Sequence, residues 1–128
     1  MIAGIGTDII KISRIENIKR EHGDKFLNKI FTDREKEYCE KYDNSSEHYA
    51  VRFAAKEAIA KALGVQLWSA KIPGNLAWKD IDVSNDEQGK PIVFFRGETA
   101  DKMDKYTCHV SLSHCTDYAT AVSVIELK

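Results

Sequence analysis

Nowhere in this 128-residue chain does an apolar run approach the roughly 18 residues that span a bilayer. The N-terminus also lacks the charged, apolar and cleavable regions of a signal peptide, so no membrane and no secretory setting is expected. Cysteine is scarce and unpaired. Cys39, Cys108 and Cys115 are an odd number without CxxC spacing, which excludes a disulfide framework and fits a reducing cytoplasm. No tight His/Cys cluster exists to hold zinc. Neither charge sign dominates: 19 basic against 20 acidic residues leave a formal net charge of -1, which excludes bulk capture of nucleic acid or anionic lipid. Signature loops are missing too. Gly4 and Gly6 begin a GxG that is not completed at position 9, and no Walker lysine follows. Ser111 and Ser113 have no GxSxG elbow, and adjacency alone does not make Cys115 and His114 a nucleophile and base. With no repeat and no low-complexity linker, the length fits one domain, residues 1–128.

What the chain does have is a helix without a polar half. Around FAAKEAIAKALG, Phe53 to Gly64, a helical wheel puts Val51, Ala55, Ala58, Ile59 and Ala62 on one side. Glu57 points roughly the other way, among Ala50, Phe53, Ala54 and Ala60. A helix that is apolar all round is packed on both sides, and a carboxylate leaving such a wall is costly unless a cation, a donor or water meets it. Lys61, four residues on, has the favoured Glu-before-Lys orientation. Two readings stay open: an ion pair on a core helix, or a functional acid.

Along the chain, MIAGIGTDII reads as a strand in which Asp8 shares a face with Gly4 and Gly6. Glycine there marks a place where a ligand or another backbone comes close. Ser13 and Glu16 have capping-box spacing, so a helix is expected from Ser13 to near Gly23, with Ile12, Ile15 and Ile18 inward and Arg14, Lys19, Arg20, Glu16 and Glu21 toward solvent. DKFLNKIF reads as a brief helix with Phe26, Leu27, Ile30 and Phe31 inward. Thr32 and Glu35 form a second capping box, and the long helix runs from near Ser46 to a stop at Gly64. VQLWSAKIPGNLA reads as loop with a turn at Pro73 and Gly74. WKDIDV and PIVFF read as strands, ETADKMDKY as a short helix, and CHVSLSH with YATAVSVI as a closing hairpin. Unsegregated elements with hairpin-length connections predict an α+β fold with a mainly antiparallel sheet packed against the long central helix.

Two carboxylates from separate elements, Asp8 and Glu57, suit magnesium. That ion is commonly held by one or two carboxylates, while substrate phosphates and waters complete its shell. Lys61 at the same mouth suits a phosphate oxygen, so the inventory fits phosphoryl transfer. On the HVSLSH strand, His114 lies with Val110 and Leu112, while His109, Ser111 and Ser113 take the other face. Two rivals share these residues: a non-catalytic module using Glu57 and Lys61 as a structural pair, and a magnesium-dependent phosphohydrolase acting on a nucleotide.

Three blocks, GIGTDIIKISRI, RFAAKEAIAKALG and HVSLSHCTDYATAVSVIE, with DIDV and QGKP between the last two, together resemble the holo-acyl-carrier-protein synthases, the short trimeric branch of the 4'-phosphopantetheinyl transferases. The resemblance covers essentially the whole chain. It implies transfer of phosphopantetheine from coenzyme A to a serine of apo acyl carrier protein, releasing adenosine 3',5'-bisphosphate, in fatty acid biosynthesis in the cytoplasm. Asp8 and Glu57 match the Mg²⁺ ligands and Lys61 the phosphate-binding lysine. Lys90, Ser113 and His114 match positions associated with the coenzyme A phosphates. Arg14 matches the helix that docks the acidic carrier protein, here with a basic face diluted by Glu16 and Glu21. The carrier serine is the nucleophile, and its proton goes to a metal-bound water or to a carboxylate such as Glu57. The resemblance also implies a homotrimer with each site between neighbouring subunits.

Overall fold

The structure, a computed structural model, describes residues 1–68 and 74–128. Strand β1 (Ile2–Lys11) leads directly into helix α1 (Ile12–His22), followed by α2 (Asp24–Ile30), α3 (Asp33–Glu40) and the long α4 (Ser45–Leu63). Two short strands, β2 (Leu67–Trp68) and β3 (Leu76–Ala77), precede a 3-10 turn at Trp78–Asp80 and the pair β4 (Ile81–Asn85) and β5 (Pro91–Phe95). Helix α5 (Gly97–Met103) and the hairpin β6 (Tyr106–His114) and β7 (Tyr118–Leu127) complete the order. The main sheet is antiparallel with β7 in the middle, β1 on one side and β6 on the other; β4–β5 is a second antiparallel pair and β2–β3 a short parallel one. The fold is α+β, with the antiparallel sheet laid on the long helix as the sequence pattern predicts.

Period-two alternation decides which side of β1 meets α4. Gly4, Gly6, Asp8 and Ile10 face the helix, and a Cβ added at Gly6 would lie 2.0 Å from the Ala58 carbonyl oxygen. At Gly4 the gap to the Ala62 oxygen would be 1.9 Å. The bare strand face is therefore filled by the backbone of α4, whose own surface there is made of Ala58 and Ala62. Ala54, Ala55, Ala58 and Ile59 are buried, so little distinguishes this helix from a smooth rod. It ends where expected, at Gly64 in the left-handed conformation (φ 70°).

The second capping box forms as read: Glu35 N–H donates to the Thr32 hydroxyl and Thr32 N–H donates to Glu35 Oε1. The first does not. Strand β1 stays paired as far as Lys11 with Tyr118, which carries Ser13 inside α1, and the open Ile12 N–H donates instead to the Asp117 carbonyl at 2.8 Å. Lys19 is also less free than expected, because its ammonium donates to Ser45 Oγ at 2.7 Å and pairs with Glu40 at 3.3 Å. Residues 78–80 of the WKDIDV segment form the 3-10 turn rather than strand. Within the expected loop, residues 67–68 and 76–77 pair as strands, and the turn residue Pro73 lies outside the described residues.

Candidate active site

Asp8 reaches the helix side of β1 two residues beyond Gly6, at the point where Glu57 leaves the flank of α4. The two carboxylates line one small open cleft of about 230 Å³ together with Arg14, Phe53, Ile9 and Ile10. Phe53 is backed by Trp78, their rings stacked at 5.0 Å. Lys61 does not pair with Glu57. Its ammonium donates to Asp8 Oδ1 at 3.1 Å and to the Thr7 carbonyl at 3.0 Å, because α4 packs so tightly on β1 that the strand is the nearer acceptor. Glu57 is left without a hydrogen bond or ion pair among the described residues. Burial and then the neighbouring Asp8 charge push its pKa above the ordinary glutamate value, while Lys61 and Arg14 pull it down.

This donor set fits a hard divalent cation. Two acids from different elements converge, Asp8 raising the cost of charge on Glu57, and the unpaired Glu57 is only half-buried, so a ligand can reach it. The described residues contain no group of three or more metal-capable side chains, so an ion here would need oxygen ligands from a substrate or water. That is how magnesium is usually held when phosphates supply the rest.

The other sequence-derived candidates lie elsewhere. His114, at the end of β6, turns toward the start of α4 with Nδ1 3.7 Å from Glu47. Ser113 lies on the opposite, open face of the sheet, at the position paired with Thr120. Lys90 sits in the β4–β5 turn, where its N–H donates to Asp86. What links the Lys90 turn to the His114 region was missed in the sequence. Buried Arg52 donates to the Val83 and His48 carbonyls and to Asn85 Oδ1, and Asn85 in turn donates to the Gly89 carbonyl. The Arg52 guanidinium also lies 4.3 Å from the centre of the Tyr38 ring, and His48 stacks on Tyr42 at 4.1 Å. A lone arginine in the alanine-rich VRFAAKEAI was the available signal.

The candidates thus form two clusters along α4. His48 and Glu57 are nine residues apart, which at about 100° per residue puts them on opposite faces of the helix.

The comparisons with known proteins agree on one chemistry. A model of the 4'-phosphopantetheinyl transferase superfamily matches residues 4–123. A holo-[acyl-carrier-protein] synthase of Clostridium tetani is 46% identical over 129 residues, covering 98% of this chain and 97% of that protein. A Chlamydia muridarum synthase is 43% identical over 124 residues, covering 97% and 94%. Among solved structures, a Bacillus anthracis holo-(acyl-carrier-protein) synthase in complex with CoA (3',5'-ADP) superposes with a TM-score of 0.80 at 36% identity, over 100% of this chain and 99% of that one. A Helicobacter pylori synthase in complex with coenzyme A gives 0.80 at 31% identity, over 95% and 99%.

Proposed function

Because the chain belongs to the holo-[acyl-carrier-protein] synthases of the 4'-phosphopantetheinyl transferase superfamily, we propose how its residues divide the work. The reaction moves the 4'-phosphopantetheine arm of coenzyme A to a serine of apo acyl carrier protein. The serine oxygen forms a bond to the phosphorus that bears pantetheine, and its hydroxyl proton passes to water in the cleft or to a carboxylate such as Glu57. The bond from that phosphorus to the leaving oxygen breaks, and its electron pair goes to adenosine 3',5'-bisphosphate.

Asp8 and Glu57 would hold a Mg²⁺ ion, and Lys61, now bonded to Asp8 and the Thr7 carbonyl, would then be free to take a phosphate oxygen. When bound, the ion spreads the negative charge that grows on the pyrophosphate. Lys61 adds a mobile cation at the same mouth, and its half-exposed ammonium reaches a substrate at little desolvation cost. Phe53 and Ile10 give the cleft an apolar wall. Arg14, exposed on α1 at the cleft rim, receives an acidic group of the carrier and so brings its serine to the carboxylates. The Lys90 and His114 region, knitted by Arg52, holds the coenzyme A phosphates.

One molecule of coenzyme A meets both clusters if neighbouring copies contribute one each, which supports a homotrimer with shared sites. The open face of the main sheet supports it as well: Ile5 and Ile9 are 69% and 66% exposed, beside Val122 and Val124 of β7. A monomer rarely leaves so apolar a face to water. No helix among the described residues is long and apolar enough to cross a membrane, and we place the enzyme in the cytoplasm, acting as one unit over residues 1–128.

The observation that carries the metal reading is the convergence of Asp8 and unpaired Glu57 beside Lys61. Its test is mass spectrometry of apo carrier protein incubated with this chain, coenzyme A and Mg²⁺. The expected product gains one phosphopantetheine, and a chelator abolishes the gain. Transfer that ignores the chelator refutes the metal assignment; phosphate release without any carrier identifies a phosphohydrolase instead.

A further inference from the structure

Glu57 was read in the sequence as the charge most in need of a partner, yet its neighbour is the buried one. Lys56 is wholly inaccessible. Its ammonium donates to the Ile30 carbonyl at 2.8 Å, to Glu35 Oε1 at 2.7 Å and to the Trp78 carbonyl at 3.1 Å. Glu35, itself buried, is fixed by the N–H groups of Thr32 and Val83. The Thr32 hydroxyl donates to Asp82, and Arg96 closes the network on the same Asp82 oxygen at 2.6 Å. Through one lysine, α4 is tied to the end of α2, the start of α3, the 3-10 turn and β4.

Stability does not account for this arrangement. Desolvating an ammonium and a carboxylate offsets most of their attraction, and well-packed apolar replacements are often neutral or stabilising. What the network does provide is uniqueness, because three bonds to fixed carbonyl and carboxylate oxygens close at only one rotation and one axial position of α4. The rest of the helix offers little of that kind, since alanine side chains make shallow ridges that interlock weakly. Helical spacing puts Lys56 roughly 160° around from Ala58, whose carbonyl abuts Gly6, and Glu57 on the flank between them. The helix is therefore gripped at front and rear, and the carboxylate emerges from the side. Side-chain tips lie about 5–6 Å from a helix axis, so a rotation of roughly 10° moves the Glu57 carboxylate by about 1 Å, a displacement that can cost about a hundredfold in rate.

We infer that Lys56 is a positioning residue, which through its buried contacts holds α4 at the rotation that sets Glu57 opposite Asp8. The inference rests on the reading of Asp8 and Glu57 as the metal carboxylates. Its test uses the full chain as wild type, Lys56→Met, Lys56→Met with Glu35→Gln, and Glu35→Gln alone. Each is titrated with Mn²⁺ alone, free ion being read by electron paramagnetic resonance, beside a thermal melt and steady-state kinetics. Mn²⁺ binding is expected to weaken about tenfold or more in the Lys56 variants and about fivefold in Glu35→Gln. The turnover rate falls by about a hundredfold, while KM for the carrier stays unchanged because Arg14 is on another helix. The double variant, which removes both buried charges, regains melting temperature lost in the single one without regaining Mn²⁺ affinity, a split that a purely structural role does not produce. Wild-type Mn²⁺ affinity in a folded Lys56 variant overturns the inference, as does wild-type affinity in Glu35→Gln should no Lys56 variant fold. If the wild type takes up no Mn²⁺ either alone or, beyond what coenzyme A itself holds, with coenzyme A present, the metal reading falls and the inference with it; if all variants bind like the wild type, the inference alone falls.

Discussion

The contact between Gly6 and α4 allows a sharp perturbation at a position that touches no substrate. In Gly6→Ala the new methyl carbon would lie 2.0 Å from the Ala58 carbonyl oxygen, 2.7 Å from Ala62 N and 3.0 Å from the Lys61 Cβ, whereas ordinary contact begins at 3.4 Å. Two of these neighbours are backbone, so no side chain can swing away, and α4 must recede from β1 by about 1.4 Å to clear the carbonyl. Overpacking of this kind costs about 1–3 kcal/mol or more, which lowers the melting temperature by about 10 °C in a chain of this size. Activity is expected to suffer further, since Asp8 is carried by the same strand and Glu57 by the displaced helix, and a 1 Å misplacement can cost about a hundredfold. The assay is phosphopantetheine transfer followed by mass spectrometry at a temperature where circular dichroism shows the variant folded. A folded Gly6→Ala enzyme with an unshifted melt and a wild-type rate would refute the close backbone approach, and with it the reason for the bare strand face.

Other expected outcomes test the remaining parts. Asp8→Asn and Glu57→Gln should each cut turnover by about 10²–10³ while leaving the melt nearly unchanged, since neither side chain belongs to the buried core; near-normal rates in both would remove the metal assignment. His48 is held below the ordinary histidine value of 6.5 by burial, Arg52 and His114, against Glu47. The unfolded chain therefore binds more protons than the folded one below about pH 6.5, so stability is lost as pH falls through that region, and His48→Gln should flatten the melting-temperature profile between about pH 7.5 and 5.5. Ile5→Lys puts a charge on the open sheet face away from the cleft and without touching the monomer core; sedimentation should show a monomer with little transferase activity, and a stable trimer would exclude that face as the interface.

The fold was readable wherever one strong local rule acted alone. Alternation marked β1 and the closing hairpin, and the Thr32–Glu35 box and the Gly64 stop bounded helices to within a residue. It failed where a distant backbone satisfied a group that local chemistry was expected to satisfy. Ser13 has the spacing of a cap, but pairing with β7 extends β1 through Lys11 and Asp117 supplies the acceptor. Likewise the open end of α2 is met by Lys56 from α4, a partner 26 residues away that no local window contains.

The site shows the same division at closer range. Periodicity placed Asp8 with the glycines and Glu57 apart from the alanine stripe, which is why the structure can bring the two together once α4 lies on β1. Pairing was misjudged because helix-local geometry favours Glu57 with Lys61, whereas the absence of side chains at Gly4 and Gly6 lowers α4 until Lys61 reaches Thr7 and Asp8 first. The glycines thus do two things with one feature: they seat the helix close enough for the carboxylates to face each other, and they draw away the lysine that would otherwise neutralise Glu57. An acid left unpaired in this way keeps a demand for a cation, and on the proposed reading Lys61, held by a carboxylate and a carbonyl at the cleft mouth, would be released to a phosphate once a metal took over Asp8.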